Sequence, residues 1–217
     1  MRIIALIVLL TSLWLLGGCA RKVRVEINAL AEQGETQQAG RLAGQRCLVL
    51  PAGQDVSPDD LQFREFSAQV AASLAQRGCA PAQGLEDADL AVLLSYGISE
   101  PIIVEQRDYV VYRPWGRWSR RMPDYVPVTT TYIFNTGSLG LEARLVEKAA
   151  EGTKLGRQVW KIDASHAGQG IDLRALFPWL LAAAGEYYGV DSGQAIVVRV
   201  GEEDLASAPP AKNIAKP

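Results

Sequence analysis

The chain has 217 residues, 48% hydrophobic and 21% charged, with a formal net charge of −2. So large an apolar share excludes disorder throughout, and a charge this close to neutrality gives no general electrostatic case for nucleic acid. Neither Cys47 nor Cys79 sits in a CxxC pair and the chain has a single histidine, so no zinc site of the common kinds, and no other metal or cofactor, is expected.

The chain opens on MRIIALIVLLTSLWLLGGCA. Arg2 gives a short positive start, and the apolar run from Ile3 to Leu16 falls short of the roughly 20 residues a bilayer-crossing helix needs. A positive start, a short apolar stretch and small residues at its end mark a secretory signal. Its ending, Leu16-Gly17-Gly18-Cys19, resembles the lipobox of bacterial lipoproteins. That resemblance implies cleavage just before Cys19, a diacylglycerol on its sulfur and an acyl group on its freed amine. An ordinary signal ending in cysteine and an uncleaved anchor are the alternatives. Each buried acyl methylene contributes about 0.8 kcal/mol, so several chains on one residue hold firmly to a membrane. Ala20 in place of aspartate implies export to the outer membrane of a Gram-negative host, facing the periplasm. The expected organisation is a signal peptide over 1–18, a lipidated tether over 19–22, one domain over 23–201 and a disordered tail over 202–217.

KVRVEINAL alternates Val23, Val25 and Ile27 with Arg24, Glu26 and Asn28, the period of a half-buried strand. The polar, glycine-bearing AEQGETQQAGRLAGQ reads as a loop, and RCLVLP as a short buried strand closed by Pro51. SPDDLQFREFSAQVAASLAQRG predicts a helix with Ser57 as its cap, Pro58 in the first turn, and Asp59 and Asp60 at the positive dipole end. Leu61, Phe66, Val70 and Leu74 form its apolar stripe, and Gly78 stops it. Five strands follow: DLAVLLSYGIS, PIIVEQRDYVVYRP, VPVTTTYIFNTG, SLGLEARLVEK and GRQVWKIDASH. FNTGS and AAEGTK are the expected turns, and each strand is expected to bury one face. DLRALFPWLLAAAGEYYG predicts a second helix that kinks or begins at Pro178, and GQAIVVRVG a last strand. The order β-β-α-β-β-β-β-β-α-β makes this a single α+β domain, a mainly antiparallel sheet with two helices on one face.

Besides Cys19 there remain Cys47 in RCLVLP and Cys79 in RGCAP. An oxidising envelope permits a disulfide between them; two buried thiols, or a redox role, are the other readings. A bridge needs Cα atoms within about 4.4–6.8 Å.

The lipobox, two leading strands, a helix ending in RG-C-A-P and the strand ADLAVLLSY together resemble the DUF4136 lipoproteins. GRQVWKIDAS followed by LLAAAGEYYG is similar in placement to that family's closing elements. The resemblance implies a small α/β module at the cell envelope and brings no set of functional residues with it.

Catalytic constellations are sparse. His166, in DASHAGQG, has Asp163 and Ser165 close in sequence, but strand neighbours point to opposite faces, so Ser165 and His166 cannot form a relay there; a surface position at a strand end is the expectation. The carboxylates Asp59-Asp60, Glu86-Asp87 with Asp89, and Glu202-Glu203-Asp204 fall at a helix start, a turn and the tail, which do not supply the cleft that general acid/base work needs. The unusual segment is RDYVVYRPWGRWSRRMPDYVP. Tyr109, Tyr112, Trp115, Trp118 and Tyr125 are interleaved there with Arg107, Arg113, Arg117, Arg120 and Arg121. Such residues dominate interface cores, and arginine grips phosphates and carboxylates in bidentate fashion. A long hairpin packing its rings on the sheet is one reading. A binding face of Tyr112, Arg113, Trp115, Arg117, Trp118, Arg120 and Arg121 for an envelope protein, glycan or lipid headgroup is the other. The expected function is a non-enzymatic interaction module anchored at the outer membrane through Cys19, with an envelope-polymer hydrolase as the alternative. The sequence leaves the oligomeric state open.

Overall fold

A computed structural model describes residues 21–32, 42–53, 56–112, 124–149 and 152–206. The expected signal peptide, Cys19, residues 33–41, the segment 113–123 and residues 207–217 lie outside the described residues.

Strand β1 (Lys22–Ala31) buries Val23, Val25, Ile27 and Ala29 and exposes the residues between them. It begins at Lys22, one residue inside the expected tether. Strand β2 (Arg46–Pro51) leads into helix α1 (Leu61–Gln76), a two-residue strand β3 (Ala80–Pro81), a 3-10 turn (Leu85–Asp87) and strand β4 (Leu90–Ile98). Next come β5 (Ile102–Tyr112), β6 (Asp124–Ala149), β7 (Gly152–Gly168), helix α2 (Leu173–Gly185), β8 (Ile196–Gly201) and a short helix α3 (Glu202–Ala206). The sheet runs β3-β2-β4-β6-β7-β1-β8, with β5 attached to β6 alone. It is mixed. β2 lies parallel to both β3 and β4, because α1 carries the chain back across the sheet between them, and the other pairings are antiparallel.

Several expected boundaries move. The cap of α1 is Asp60, whose Oδ1 accepts from Gln62 N at 2.8 Å and Phe63 N at 3.0 Å; Ser57 instead accepts from Asp59 N in the turn before it. The stripe begins at Phe63, and Leu61 is 79% exposed. VPVTTTYIFNTG and SLGLEARLVEK form one strand, since FNTGS continues through β6 without turning. Gly137 serves close packing there, as an added Cβ would overlap the Leu176 side chain. Helix α2 starts at Leu173 and runs through Pro178, so it does not begin there. The expected tail starts as α3, where Asp204 Oδ2 accepts from Gly201 N at 2.7 Å and Leu205 packs on the core.

Phe66 of α1 stacks on Phe177 of α2, ring centroids 3.9 Å apart, and both are fully buried. Tyr96 of β4 meets Phe66 edge-on at 4.8 Å. α1 and α2 thus pack on each other and on one face of the sheet. Beyond α2, the Tyr188 hydroxyl lies 3.0 Å from Ser73 Oγ on α1, and its ring lies against Trp160 of β7. A disulfide joins Cys47 of β2 to Cys79, just past α1, with Cα atoms 5.9 Å apart and a sequence separation of 32. On the chain-entropy model a bridge closing such a loop stabilises by roughly 3–4 kcal/mol.

Candidate functional site

Beyond Ile98 the sheet narrows to two strands. β4 pairs with β6 from Ile98↔Gly137 inward, and β7 pairs with β6 from Asn135 onward. Outside those points only β5 and β6 remain, in unbroken register from Ile102↔Phe134 to Tyr112↔Asp124. An element so placed has no layer on either face, and residues 101–110 are exposed without exception. The expectation that these strands bury one face therefore fails. Ile103 is 64% exposed and Tyr109 69%, from one face; Ile102 and Val110 of the other face are also open.

The ribbon is banded along its length. Apolar pairs Ile102–Phe134, Ile103–Ile133 and Val104–Tyr132 lie at its root, and Val110–Val126 near its outer end. Between them sit Glu105–Thr131, Gln106–Thr130 and Arg107–Thr129. Gln106 Nε2 donates to Asp108 Oδ2 at 3.0 Å. The structure records no ion pair for Glu105 or Arg107 among the described residues. Sequence reasoning missed this band, although its signal was present. IIV-EQRD-YVVY runs in blocks instead of alternating, and blocks suit a strand wet on both sides.

Of the expected binding face, Tyr112 ends β5 opposite Asp124. Arg113, Trp115, Arg117, Trp118, Arg120 and Arg121 lie outside the described residues, in the connection between the two ribbon strands.

The other candidates do not converge. Alternation along β7 separates Ser165 and Asp163 from His166, and the Asp163 carboxylate pairs with Lys161 at 2.9 Å. His166 Nδ1–H donates to the Arg24 carbonyl at 2.7 Å, beside an open cleft of about 240 Å³ shared with Asp172 and Trp179. Asp172 is engaged as the cap of α2. Glu86 and Asp87 sit in the 3-10 turn, where Asp87 pairs with Arg46. The Asp89 carboxylate accepts from Arg46 N. No group of three or more metal-ligating side chains assembles among the described residues. Burial around the Tyr188 hydroxyl pushes its pKa up to about 12, against the opposing Ser73 hydrogen bond and Arg77 charge. Tyr96 is also raised, by burial first and Asp60 second.

No family model matches the chain, and no curated protein matches it. Among solved structures, it is similar to a PDZ domain protein from Parabacteroides distasonis at 10% identity, with a TM-score of 0.39. The match covers 84% of this chain but spans only 40% of that protein. It is also similar to a DUF4136 family protein from Bacteroides thetaiotaomicron, at 16% identity and a TM-score of 0.35, over 74% of this chain and 91% of that one. The second belongs to the family that the sequence resembles. Overlaps this loose carry no argument about activity, and the architecture rests on the chain's own strand registers.

Proposed function

We propose that this chain is a non-enzymatic interaction module of the bacterial envelope. It is held at the outer membrane by acylated Cys19, faces the periplasm, and presents the β5–β6 ribbon and its arginine-aromatic tip to an envelope partner. One observation carries the reading: the ribbon leaves the sheet with large apolar side chains open on both faces. A two-stranded hairpin is marginal in water by itself, so a long one with bare faces is better suited to contact than to support of the fold. Trp115, Trp118, Arg117 and Arg120 belong to the stretch of sequence that connects Tyr112 to Asp124, the last pair of the ribbon. The partner is anionic envelope material matched to arginine: glycan, lipid headgroup or protein.

The test replaces Trp115, Trp118, Arg117 and Arg120 together by alanine. The expected result is an unchanged melting temperature and lost retention on cell-wall or outer-membrane fractions. Retention equal to wild type overturns the reading.

A further inference from the structure

We propose that the open edge of β5 pairs antiparallel with β5 of a second copy of this chain, in the register that sets Gln106 opposite its own counterpart. This concerns the edge of the ribbon and does not rest on the tip binding anything.

The ribbon has two free edges, and they differ. The β6 edge carries Pro127, paired with Tyr109, and a proline offers no N–H to a further strand. The β5 edge has no proline between Ile102 and Tyr112. Proline is admitted to a ladder where its missing N–H faces away from its partner, so Pro127–Tyr109 is a non-hydrogen-bonded pair. The odd-numbered residues of β5 then turn their backbone N–H and C=O groups away from β6, onto the open edge. A second β5 joined there must set odd residues against odd ones.

Charge selects among the registers that remain. With Gln106 on the two-fold axis, Glu105 faces Arg107 of the second copy and Arg107 faces its Glu105, side by side on one face. A shift of two residues either way sets Arg107 against Arg107 or Glu105 against Glu105, and like charges directly opposite are destabilising. The chosen register also brings Ile103 against Tyr109 and Ile102 against Val110, four of the ribbon's exposed side chains. Asp108 falls opposite Val104, with its carboxylate already accepting from Gln106. Such a contact is isologous, as a two-fold dimer requires. It widens a two-stranded ribbon into a four-stranded sheet, past the three strands at which sheets become self-supporting.

The test uses the full chain in its own membranes, with Gln106→Cys. Cys47 and Cys79 are bonded to each other and Cys19 is the proposed acylation site, so the inserted thiol is the one available. Mild oxidation should give a disulfide-linked dimer on a non-reducing gel, and Thr130→Cys, opposite Gln106 but on β6, should stay monomeric. Adding Glu105→Arg or Arg107→Glu to Gln106→Cys should each cut the dimer roughly tenfold. Producing those two variants together should restore it as a heterodimer, which separates lost pairing from misfolding. The tip variant with its four alanines should cross-link as the unaltered tip does. No cross-link at position 106, a cross-link indifferent to both charge changes, or failure of the mixed pair to recover would overturn the proposal.

Discussion

Strand β6 passes through two environments, and the contrast between its halves explains most of the molecule. Along the inner half, Leu139 and Leu141 are 1% exposed, flanked by β4 and β7 and roofed by α2. Along the outer half, Val126 is 48% and Ile133 51% exposed, with β5 as sole neighbour. Apolar side chains are present in both halves. What changes is the number of strands alongside and the presence of a helix above, so apolar character marks a core only where topology supplies a second layer.

The sharpest way to break that contrast is to hollow the inner region. Phe177→Ala removes a ring stacked on Phe66 in a fully buried site, and such truncations cost about 3–5 kcal/mol. Urea denaturation should show an unfolding free energy lowered by that amount, with the ribbon's own sequence untouched. A loss under about 1 kcal/mol would mean that the helix layer is not what holds the inner half.

A smaller effect comes from pH. Tyr188 has its pKa raised to about 12 from an ordinary 10.0. Its folded state keeps the proton longer than the unfolded chain does, so its contribution is fully present below pH 10 and is lost as pH rises through about 12. Two pKa units correspond to about 2–3 kcal/mol. The difference in stability between wild type and Tyr188→Phe, measured at pH 9 and again near 12, should move by that amount in the phenylalanine variant's favour. A constant difference would place the hydroxyl in water.

Much of the inner region was legible in the sequence. The alternation of β1 and the stripe of α1 follow from single-element periodicity, and Pro51 and Gly78 lie at or next to the ends of β2 and α1. The cap of α1 was misplaced because Ser57, Asp59 and Asp60 all offer capping oxygens, and which one wins depends on where Phe63 must point. The merger of two expected strands into β6 was hidden because Asn135 and Gly137 look like a turn, whereas Gly137 is small to admit Leu176 from α2. The pairing of β2 with both β3 and β4 was out of reach for the same reason: crossovers are fixed by tertiary packing. Of the candidate site, the arginine-aromatic cluster could be read from composition. The band Glu105-Gln106-Arg107 shows in the sequence as a polar block, but its meaning depends on β5 having no neighbour beyond β6.

The smallest expected effect lies in the ribbon itself, and it sharpens the comparison most. Ile103→Thr and Val110→Thr keep the β-branched shape that strands favour while removing apolar surface that the isolated chain leaves in water. Changes at such positions cost within about 0.5 kcal/mol each, far below the value for Phe177→Ala. That holds at a protein dilution where copies do not meet. Anything that binds only the folded chain adds stability that grows with its own concentration, so self-pairing through β5 makes these same substitutions costlier as the protein is concentrated. Melting temperatures of wild type and variant, followed over a hundredfold range of concentration, should coincide at the dilute end and part at the other. Curves that run parallel throughout would show a ribbon edge that stays unpaired, and a large gap at the dilute end would show that the ribbon supports the fold after all.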